Sequence, residues 1–104
     1  MDRDELLKRI KAAVAEAFGE RLRGVVLYGS EARGDAEPDS DIDLLVLLSD
    51  LEDFGGDLRT CIHVLYPLVL ELERPIDVFP VDVKAYEAAE LPVYANAKRE
   101  GITA

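Results

Sequence analysis

The sequence has one cysteine and one histidine among its 104 residues, and this scarcity excludes several kinds of site. Cys61 has no second cysteine with which to form an internal disulfide, and no pair of cysteines exists for a structural zinc site. No helix N-terminus or basic cluster in the sequence activates Cys61, so we expect it to be a small core residue rather than a nucleophile. His63 has no metal-binding partner at helical spacing, so a packed or half-exposed histidine is expected there. These absences fit a reducing compartment.

Long apolar runs are also missing. The first five residues are mostly charged and lack the apolar stretch of a signal peptide. The most apolar run, residues 61–72, is too short to span a bilayer. We expect a cytoplasmic protein that does not enter a membrane.

Basic residues are few, with 12 lysines and arginines against 22 aspartates and glutamates and a net charge of −10. A field of this sign repels the phosphates of DNA and RNA, so we expect no direct nucleic-acid binding. A basic protein partner fits the charge, as does a small anionic substrate neutralised by bound metal. Acidity that only maintains solubility explains the composition equally well.

The remaining composition is that of a folded protein. Hydrophobic residues make up 49% and charged residues 33% of the sequence, which is ordinary for a globular chain. We expect residues 1–104 to form a single domain around one core, because this length lies in the range of one domain.

Hydrophobic periodicity predicts an alternation of helices and strands. A helix is predicted to begin at Asp2 or Asp4 and to end at Gly19, and Asp82 is predicted to cap a later one. The predicted strands are residues 24–28, 42–48 and 76–79, and the predicted helices cover residues 6–18, 51–72, 83–90 and 92–101. Residues 30–40 read as a loop with a helical turn near residues 31–33.

Two prolines affect these boundaries. Pro67 interrupts the helical pattern of residues 51–72, so one kinked helix and a shorter helix ending near Tyr66 both fit. Pro75 and Pro80 are expected to bound the third strand.

Gly29 and Ser30 stand where the first predicted strand gives way to the predicted turn. A glycine there lets a phosphate approach the backbone, and the following amides and hydroxyl can donate hydrogen bonds to its oxygens. The same pair is also a common turn sequence.

Three aspartates lie in the second and third predicted strands. Asp41 and Asp43 share one face of the second strand, about 6 to 7 Å apart at the Cα atoms, because side chains alternate across a strand. Asp77 has the same relation to its apolar neighbours in the third strand, and adjacent strands would bring opposed Cβ atoms to roughly 5 Å. Such a cluster suits two Mg²⁺ ions about 3.5 to 4 Å apart, and oxygen-only ligands favour Mg²⁺ or Mn²⁺ over zinc.

The order of these residues resembles the signature of the polymerase-beta-like nucleotidyltransferase superfamily. Gly29-Ser30 is followed by ten residues and then by Asp41-Ile42-Asp43 at the start of an apolar strand. Residues 33–36, 39–40 and 98–102 are similar to the minimal nucleotidyltransferase branch of that superfamily, as is the position of Asp77.

The resemblance implies an α/β (α+β) fold, in which a small mixed sheet of about three strands packs with about four helices. It implies ATP as donor and Mg²⁺ held by the catalytic residues Asp41, Asp43 and Asp77. It also implies that Gly29 and Ser30 hold the terminal phosphates. Arg33 is a further candidate for nucleotide binding, although an ion pair with the nearby Asp35 or Asp39 explains its presence as well.

Members of the minimal branch are often antitoxins whose partner is an all-helical HEPN-domain ribonuclease toxin. The resemblance then implies transfer of AMP to a tyrosine of the toxin, and a basic toxin would suit the charge of −10. The alternative hypothesis is a non-catalytic antitoxin that neutralises a basic partner by direct contact.

Overall fold

Helices lie on both faces of a four-stranded mixed sheet in the computed structural model, which describes residues 1–104. The strands are β1 (Leu22–Tyr28), β2 (Ile42–Leu48), β3 (Ile76–Asp82) and β4 (Ile102–Thr103). The helices are α1 (Arg3–Phe18), α2 (Ser30–Arg33), α3 (Phe54–Leu72), α4 (Val83–Glu87) and α5 (Pro92–Glu100), and a 3₁₀ turn (Gly19–Arg21) joins α1 to β1. This is the α/β (α+β) class expected from the sequence.

The strand order is β3-β2-β1-β4. β1 pairs antiparallel with both β2 and β4, whereas β2 and β3 are parallel. A parallel pair requires a long crossover connection, and α3 supplies it. The antiparallel β1–β2 pair is joined by a connection that contains α2, so α2 lies at the end of the sheet where β1 finishes and β2 begins.

Both faces of the sheet are covered, which explains why every residue of β2 after Asp43 is buried. On one face, α1 and α3 bury a cluster of 15 residues that includes Leu44 and Val46. On the other face, α4 and α5 cover a cluster of 6 residues that includes Leu45 and Leu47. β2 is therefore a nearly continuous apolar run rather than an alternating one.

The helix ends have the caps that the sequence predicts. Asp2 accepts a hydrogen bond from the amide of Glu5 (2.8 Å) at the start of α1, and α1 stops at Gly19. Asp82 accepts hydrogen bonds from the amides of Lys84 and Ala85 at the start of α4. These caps satisfy amides that have no partner within the helix.

α3 is a single helix that continues through Pro67 to Leu72. Of the two interpretations of this segment, the continuous helix is therefore the correct one. Proline lacks the amide that would bond one turn back, but Pro67 is exposed, and the helix is held by buried side chains on both sides of it, Cys61, Leu65 and Leu68.

The structure differs from the sequence-based expectation in the extent of two strands and in the number of strands and helices. The first strand begins at Leu22 rather than at residue 24. The third strand does not stop at Pro80 but continues through it to Asp82. β3 is an edge strand that pairs only with β2, and proline is tolerated at an edge because one row of backbone groups there has no ladder partner. β4 is an additional strand of two residues, and the helices number five rather than about four because α2 is a full turn.

None of the helices is both long enough and apolar enough to cross a membrane.

Candidate functional site

Three polar side chains lie in one row across the sheet, on the face covered by α4 and α5. Asp43 of β2 is the register partner of Tyr28 in β1 and of Asp77 in β3. The predicted opposition of Asp43 and Asp77 is therefore present at the Cα level. Asp41 lies directly before β2 and is exposed, as is Asp77, whereas Asp43 is partly buried.

Gly29 directly follows β1 beside this row, and a side chain at this position would force the carboxylate of Asp43 to move. A β-carbon built on Gly29 would lie 3.3 Å from Cγ of Asp43 and would overlap its Oδ2. The backbone of Gly29 also has φ 72° and ψ −152°, a conformation that is essentially restricted to glycine. Glycine at this position thus allows the carboxylate of Asp43 to lie against the backbone at the start of α2.

Ser30 is the first residue of α2, a single helical turn between two glycines with positive φ, Gly29 and Gly34. The carbonyl of Gly29 accepts a hydrogen bond from the amide of Arg33 (3.1 Å), and the carbonyl of Ser30 accepts one from the amide of Asp35 (3.1 Å). Ser30 itself is partly exposed. The turn therefore places Gly29 and Ser30 next to Asp43, so the two halves of the motif recognised in the sequence are neighbours in space.

The three aspartates form a concentration of negative charge in which no carboxylate has an ion-pair partner. Burial raises the pKa of Asp43, the charges of Asp77 and Asp41 raise it further, and Arg33 lowers it. Burial also raises the pKa of Tyr28, and the charges of Asp43 and Asp77 add to that rise.

The donor set suits a hard divalent cation. As placed, no group of three or more His, Cys, Asp or Glu side chains could hold a metal ion by itself. Mg²⁺ does not need such a protein cage, because it is usually held by one or two carboxylates together with water and substrate phosphates. Asp43 and Asp77, adjacent in register and free of ion pairs, match that requirement.

Arg33 lies at the end of α2 and contacts two carboxylates. Its Nε atom is 3.3 Å from Oδ2 of Asp35, and its Nη1 atom is 3.4 Å from Oε2 of Glu100. An ion pair within the loop was the alternative to nucleotide binding that the sequence offered for Arg33, and the pair with Asp35 is present. The Arg33 side chain remains about half exposed, at 47%, and its charge lowers the pKa of Asp43.

Arg74 was not identified from the sequence, although it holds the loop around α2. Its Nη2 atom donates to Glu31 of α2 (2.9 Å), and its Nε atom donates to the carbonyl of Ser40 (2.9 Å). Both partners of the ion pair are largely shielded, with side chains 14% and 16% exposed. Arg3 adds a hydrogen bond to the carbonyl of Ala32 (3.0 Å). These partners lie 29 to 43 residues away along the chain, so no local pattern could indicate them.

Cys61 and His63, which we did not expect to take part in a catalytic or metal site, lie on α3, away from the aspartates. Cys61 is fully buried in the core, as expected. His63 is exposed on α3, so of the two expectations for it, packed or half-exposed, the packed one is wrong.

Comparison with known families gives a match over almost the whole chain. The profile of the family described as "Nucleotidyltransferase domain" matches residues 7–102. That range contains Gly29, Ser30, Asp41, Asp43 and Asp77.

Two curated relatives come from Methanocaldococcus jannaschii. The protein named "Putative protein adenylyltransferase MJ1305" is 44% identical over 83 residues, which is 78% of this chain and 52% of the relative. The protein named "Putative protein adenylyltransferase MJ0141" is 36% identical over 47 residues, which is 45% of this chain and 48% of the relative. The matches thus span about half the length of these relatives.

Two solved structures have a similar fold. A "putative minimal nucleotidyltransferase" is 28% identical with a TM-score of 0.58, and the match covers 98% of this chain and 95% of that one. A toxin-antitoxin structure determined with AMP-PNP is 20% identical with a TM-score of 0.66, covering 92% of this chain and 69% of that one. The second likeness is one of fold alone.

Proposed function

Because the chain belongs to the nucleotidyltransferase domain family, we propose that it transfers AMP from ATP, in a Mg²⁺-dependent reaction, to a tyrosine hydroxyl of a partner protein. The partner we propose is an all-helical HEPN-type toxin, which the modification neutralises. The chain then acts as the antitoxin of the pair.

One observation carries the catalytic part of this proposal, the contact between Gly29 and the carboxylate of Asp43. Because Gly29 has no side chain, the carboxylate of Asp43 lies next to the backbone of the first turn of α2. A bound triphosphate would use both groups, the carboxylate through Mg²⁺ and the backbone amides directly. Metal-bound carboxylates and backbone amides are the recurrent partners of transferred phosphoryl groups. A structural turn alone would not require the carboxylate to fill the space of a side chain.

The residues divide into two sets by position. Asp41, Asp43 and Asp77 would hold Mg²⁺, two ions in our proposal, while the amides after Gly29 and the hydroxyl of Ser30 would bind the terminal phosphates. When bound, Mg²⁺ supplies charge neutralisation of the triphosphate and activation of the acceptor hydroxyl.

Arg33 stands at the end of α2 and would add positive charge to the phosphate side of the site. To do so it would exchange a contact with Asp35 or Glu100 for one with a phosphate oxygen, and all of these are charge-assisted hydrogen bonds.

The proposed acceptor is supported by the relatives and by charge. Two of the relatives are named as protein adenylyltransferases, and a protein of the same fold is part of a toxin-antitoxin pair. The net charge of −10 suits a basic partner, because complementary potentials accelerate and orient association.

Mass spectrometry of the protein encoded beside this one tests the proposal. Co-expression with the wild-type chain should increase the mass of that protein by one or more AMP groups, located on a tyrosine. Asp43→Asn should abolish the increase, whereas Glu37→Gln, which removes an equal charge from an exposed site in the loop before β2, should not. Transfer that persists in Asp43→Asn would contradict the assignment.

The same variants test the non-catalytic alternative. If the Asp41→Asn, Asp43→Asn double variant still forms the complex and still protects cells from the toxin, neutralisation occurs by contact. If the complex forms and protection is lost, neutralisation requires the transfer reaction.

A further inference from the structure

An open apolar pocket of about 310 Å³ lies on the same face of the sheet as the aspartates. Eight of its nine lining residues are hydrophobic. The chain has eight exposed large hydrophobic side chains, and four of them, Phe54, Phe79, Leu91 and Val93, line this pocket. Half of the exposed large apolar side chains are thus gathered at one place, whereas exposed apolar residues on an ordinary surface are scattered.

The pocket begins one side-chain row beyond the carboxylates. Val26, Leu45 and Phe79 are register partners in β1, β2 and β3, two residues along from the row that contains Asp43. Two residues along a strand correspond to about 6 to 7 Å. Tyr28 belongs to the polar row and also lines the pocket, so the two are continuous.

We propose that this pocket receives the aromatic ring of the acceptor tyrosine, so that the tyrosine hydroxyl reaches Asp43 and Asp77. The inference rests on the proposed function and adds the surface that selects the acceptor. Tyrosine carries its hydroxyl at the far end of an apolar ring. A ring in the pocket therefore presents its hydroxyl one row away, at the carboxylates. The hydroxyl of serine or threonine lies next to the main chain, and such an acceptor would leave the pocket unfilled.

The position of the pocket favours the acceptor over the adenine of ATP. Gly29 and Ser30, which would bind the phosphates, lie directly after β1. The pocket contacts β1 only at Tyr28 and extends across Leu45 to Phe79, Pro80 and Val81 of β3, on the other side of Asp43. The nucleotide and the acceptor would then approach the carboxylates from opposite sides, as a transfer between them requires.

The charges around the pocket specify the flanks of the acceptor. Phe54 follows directly after an acidic segment that contains Asp50, Glu52 and Asp53, among which Arg21 is the one cation. Asp77 lies two residues before Phe79 on the same face of β3. These carboxylates favour a segment in which lysine or arginine stands close to the tyrosine, and they disfavour an anionic one.

Two short peptides test the inference by nuclear magnetic resonance. The first is acetyl-Lys-Gly-Tyr-Gly-Lys-amide, and the second has serine in place of tyrosine. Titration of the isotope-labelled full chain with the first peptide should shift the amide signals of Phe79, Leu91 and Val93 in a saturable manner, with a dissociation constant of about 1 mM. The serine peptide should bind at least about tenfold more weakly.

Variants on exposed residues provide the controls. Leu91→Ser and Val93→Ser should each weaken binding of the tyrosine peptide about fivefold or more. Leu70→Ser removes an equally exposed apolar side chain from α3, away from the pocket, and should have no effect. The amide spectrum of each variant reports whether it is folded.

Titration with ATP and Mg²⁺ separates the two occupants. We expect ATP to shift the amide signals of Gly29 and Ser30 and to leave the amide signals of Leu91 and Val93 unchanged. Shifts at Leu91 and Val93 with ATP would overturn the inference and assign the pocket to the adenine ring. Equal binding of the serine peptide, or shifts that do not saturate, would overturn it as well. This outcome is independent of AMP transfer to the co-expressed partner, whose absence would instead contradict the proposed function.

Discussion

The carboxylate of Asp43 occupies the space that a β-carbon would take on Gly29. The two residues lie 14 positions apart in the sequence, at the end of β1 and at the second position of β2. Their contact joins the turn at Gly29-Ser30, which would bind phosphate, to the carboxylates of Asp43 and Asp77, which would bind Mg²⁺. A change at either Gly29 or Asp43 should therefore affect binding of both phosphate and metal.

Gly29→Ala should therefore slow AMP transfer by about 100-fold. The new methyl group displaces the carboxylate of Asp43, and a displacement of about 1 Å in such a site can reduce the rate about 100-fold. The substitution should also lower the free energy of unfolding by about 1 to 3 kcal/mol, because this backbone conformation is strained for alanine. Rates of AMP transfer and chemical denaturation measure the two effects.

Gly19→Ala is the matched control. Gly19 has a similar conformation, with φ 57° and ψ −129°, but nothing lies within 4 Å of the position of its β-carbon. It should lose stability and keep its transfer rate. Equal loss of transfer in the two variants would show that backbone strain, not the position of Asp43, is responsible.

Arg74→Met should destabilise the protein and impair AMP transfer, although Arg74 does not contact the substrate. The substitution leaves Glu31 and the carbonyl of Ser40 without their partner in a shielded position, which should lower the free energy of unfolding by about 1 to 3 kcal/mol. Arg74 acts as a positioning residue, since it fixes the loop around α2. The KM for ATP should rise more than kcat falls, and Arg74→Lys should restore part of the affinity because one hydrogen bond to Glu31 remains feasible.

The ion pair between Arg9 and Glu71 provides the comparison for Arg74. It also joins distant segments, α1 and α3, but both side chains are exposed, at 40% and 53%. Arg9→Met should leave stability and the KM for ATP nearly unchanged, because exposed pairs contribute little. If both arginine variants behaved alike, shielding would not be the cause.

Cys61 should resist thiol reagents in the folded protein. Burial raises the pKa of its thiol to about 12, and the thiolate is the reactive form. At pH 8 the folded chain should react with an aromatic disulfide reagent only as fast as it unfolds, while the chain in concentrated guanidinium chloride should react at once. Because the folded pKa lies above the ordinary value of 9.0, this thiol favours the folded state less as pH rises from about 9 towards 12. Rapid labelling of the native chain at pH 8 would contradict its burial.

Pro67→Ala should stabilise the protein. Alanine restores an amide that can donate to the carbonyl of His63 within α3, and proline in a helix interior costs about 3 kcal/mol. The position is exposed, so no cavity results, and the midpoint of thermal unfolding should rise. Pro38→Ala, in the loop before β2, should give no such increase. A loss of stability in Pro67→Ala would show that the proline is needed to shape α3.

Patterns along the chain predicted much of this fold. Ile42–Leu48 was predicted as a strand with the bounds that it has, because its apolar run is short and ends in turn residues on both sides. The pairing of Asp43 with Asp77 also followed from side-chain alternation once the two strands were adjacent. The family resemblance of the glycine-serine and aspartate motifs agrees with the profile match over residues 7–102.

The features that sequence reasoning missed depend on tertiary contact. The sequence predicted that the third strand ends at Pro80, because proline usually interrupts a strand. The strand continues through Pro80 because β3 lies at the edge of the sheet, where proline is tolerated. Arg74 has nothing in its local sequence that marks its bond to Glu31, 43 residues earlier. The apolar pocket combines residues of β1, β2 and β3 with residues at the starts of α3 and α5, so no single segment of the sequence indicates it.

The two outer strands of the sheet have a consequence for the behaviour of the chain at high concentration. A bare strand edge invites another copy to add its own strand, which leads to aggregation. Here β3 carries Pro80 within it and exposed Asp77 beside the site, while β4 at the opposite edge is only two residues long. Neither edge offers a long ladder of free backbone groups, so a chain with this much apolar sheet can remain dispersed while its pocket stays open for a partner.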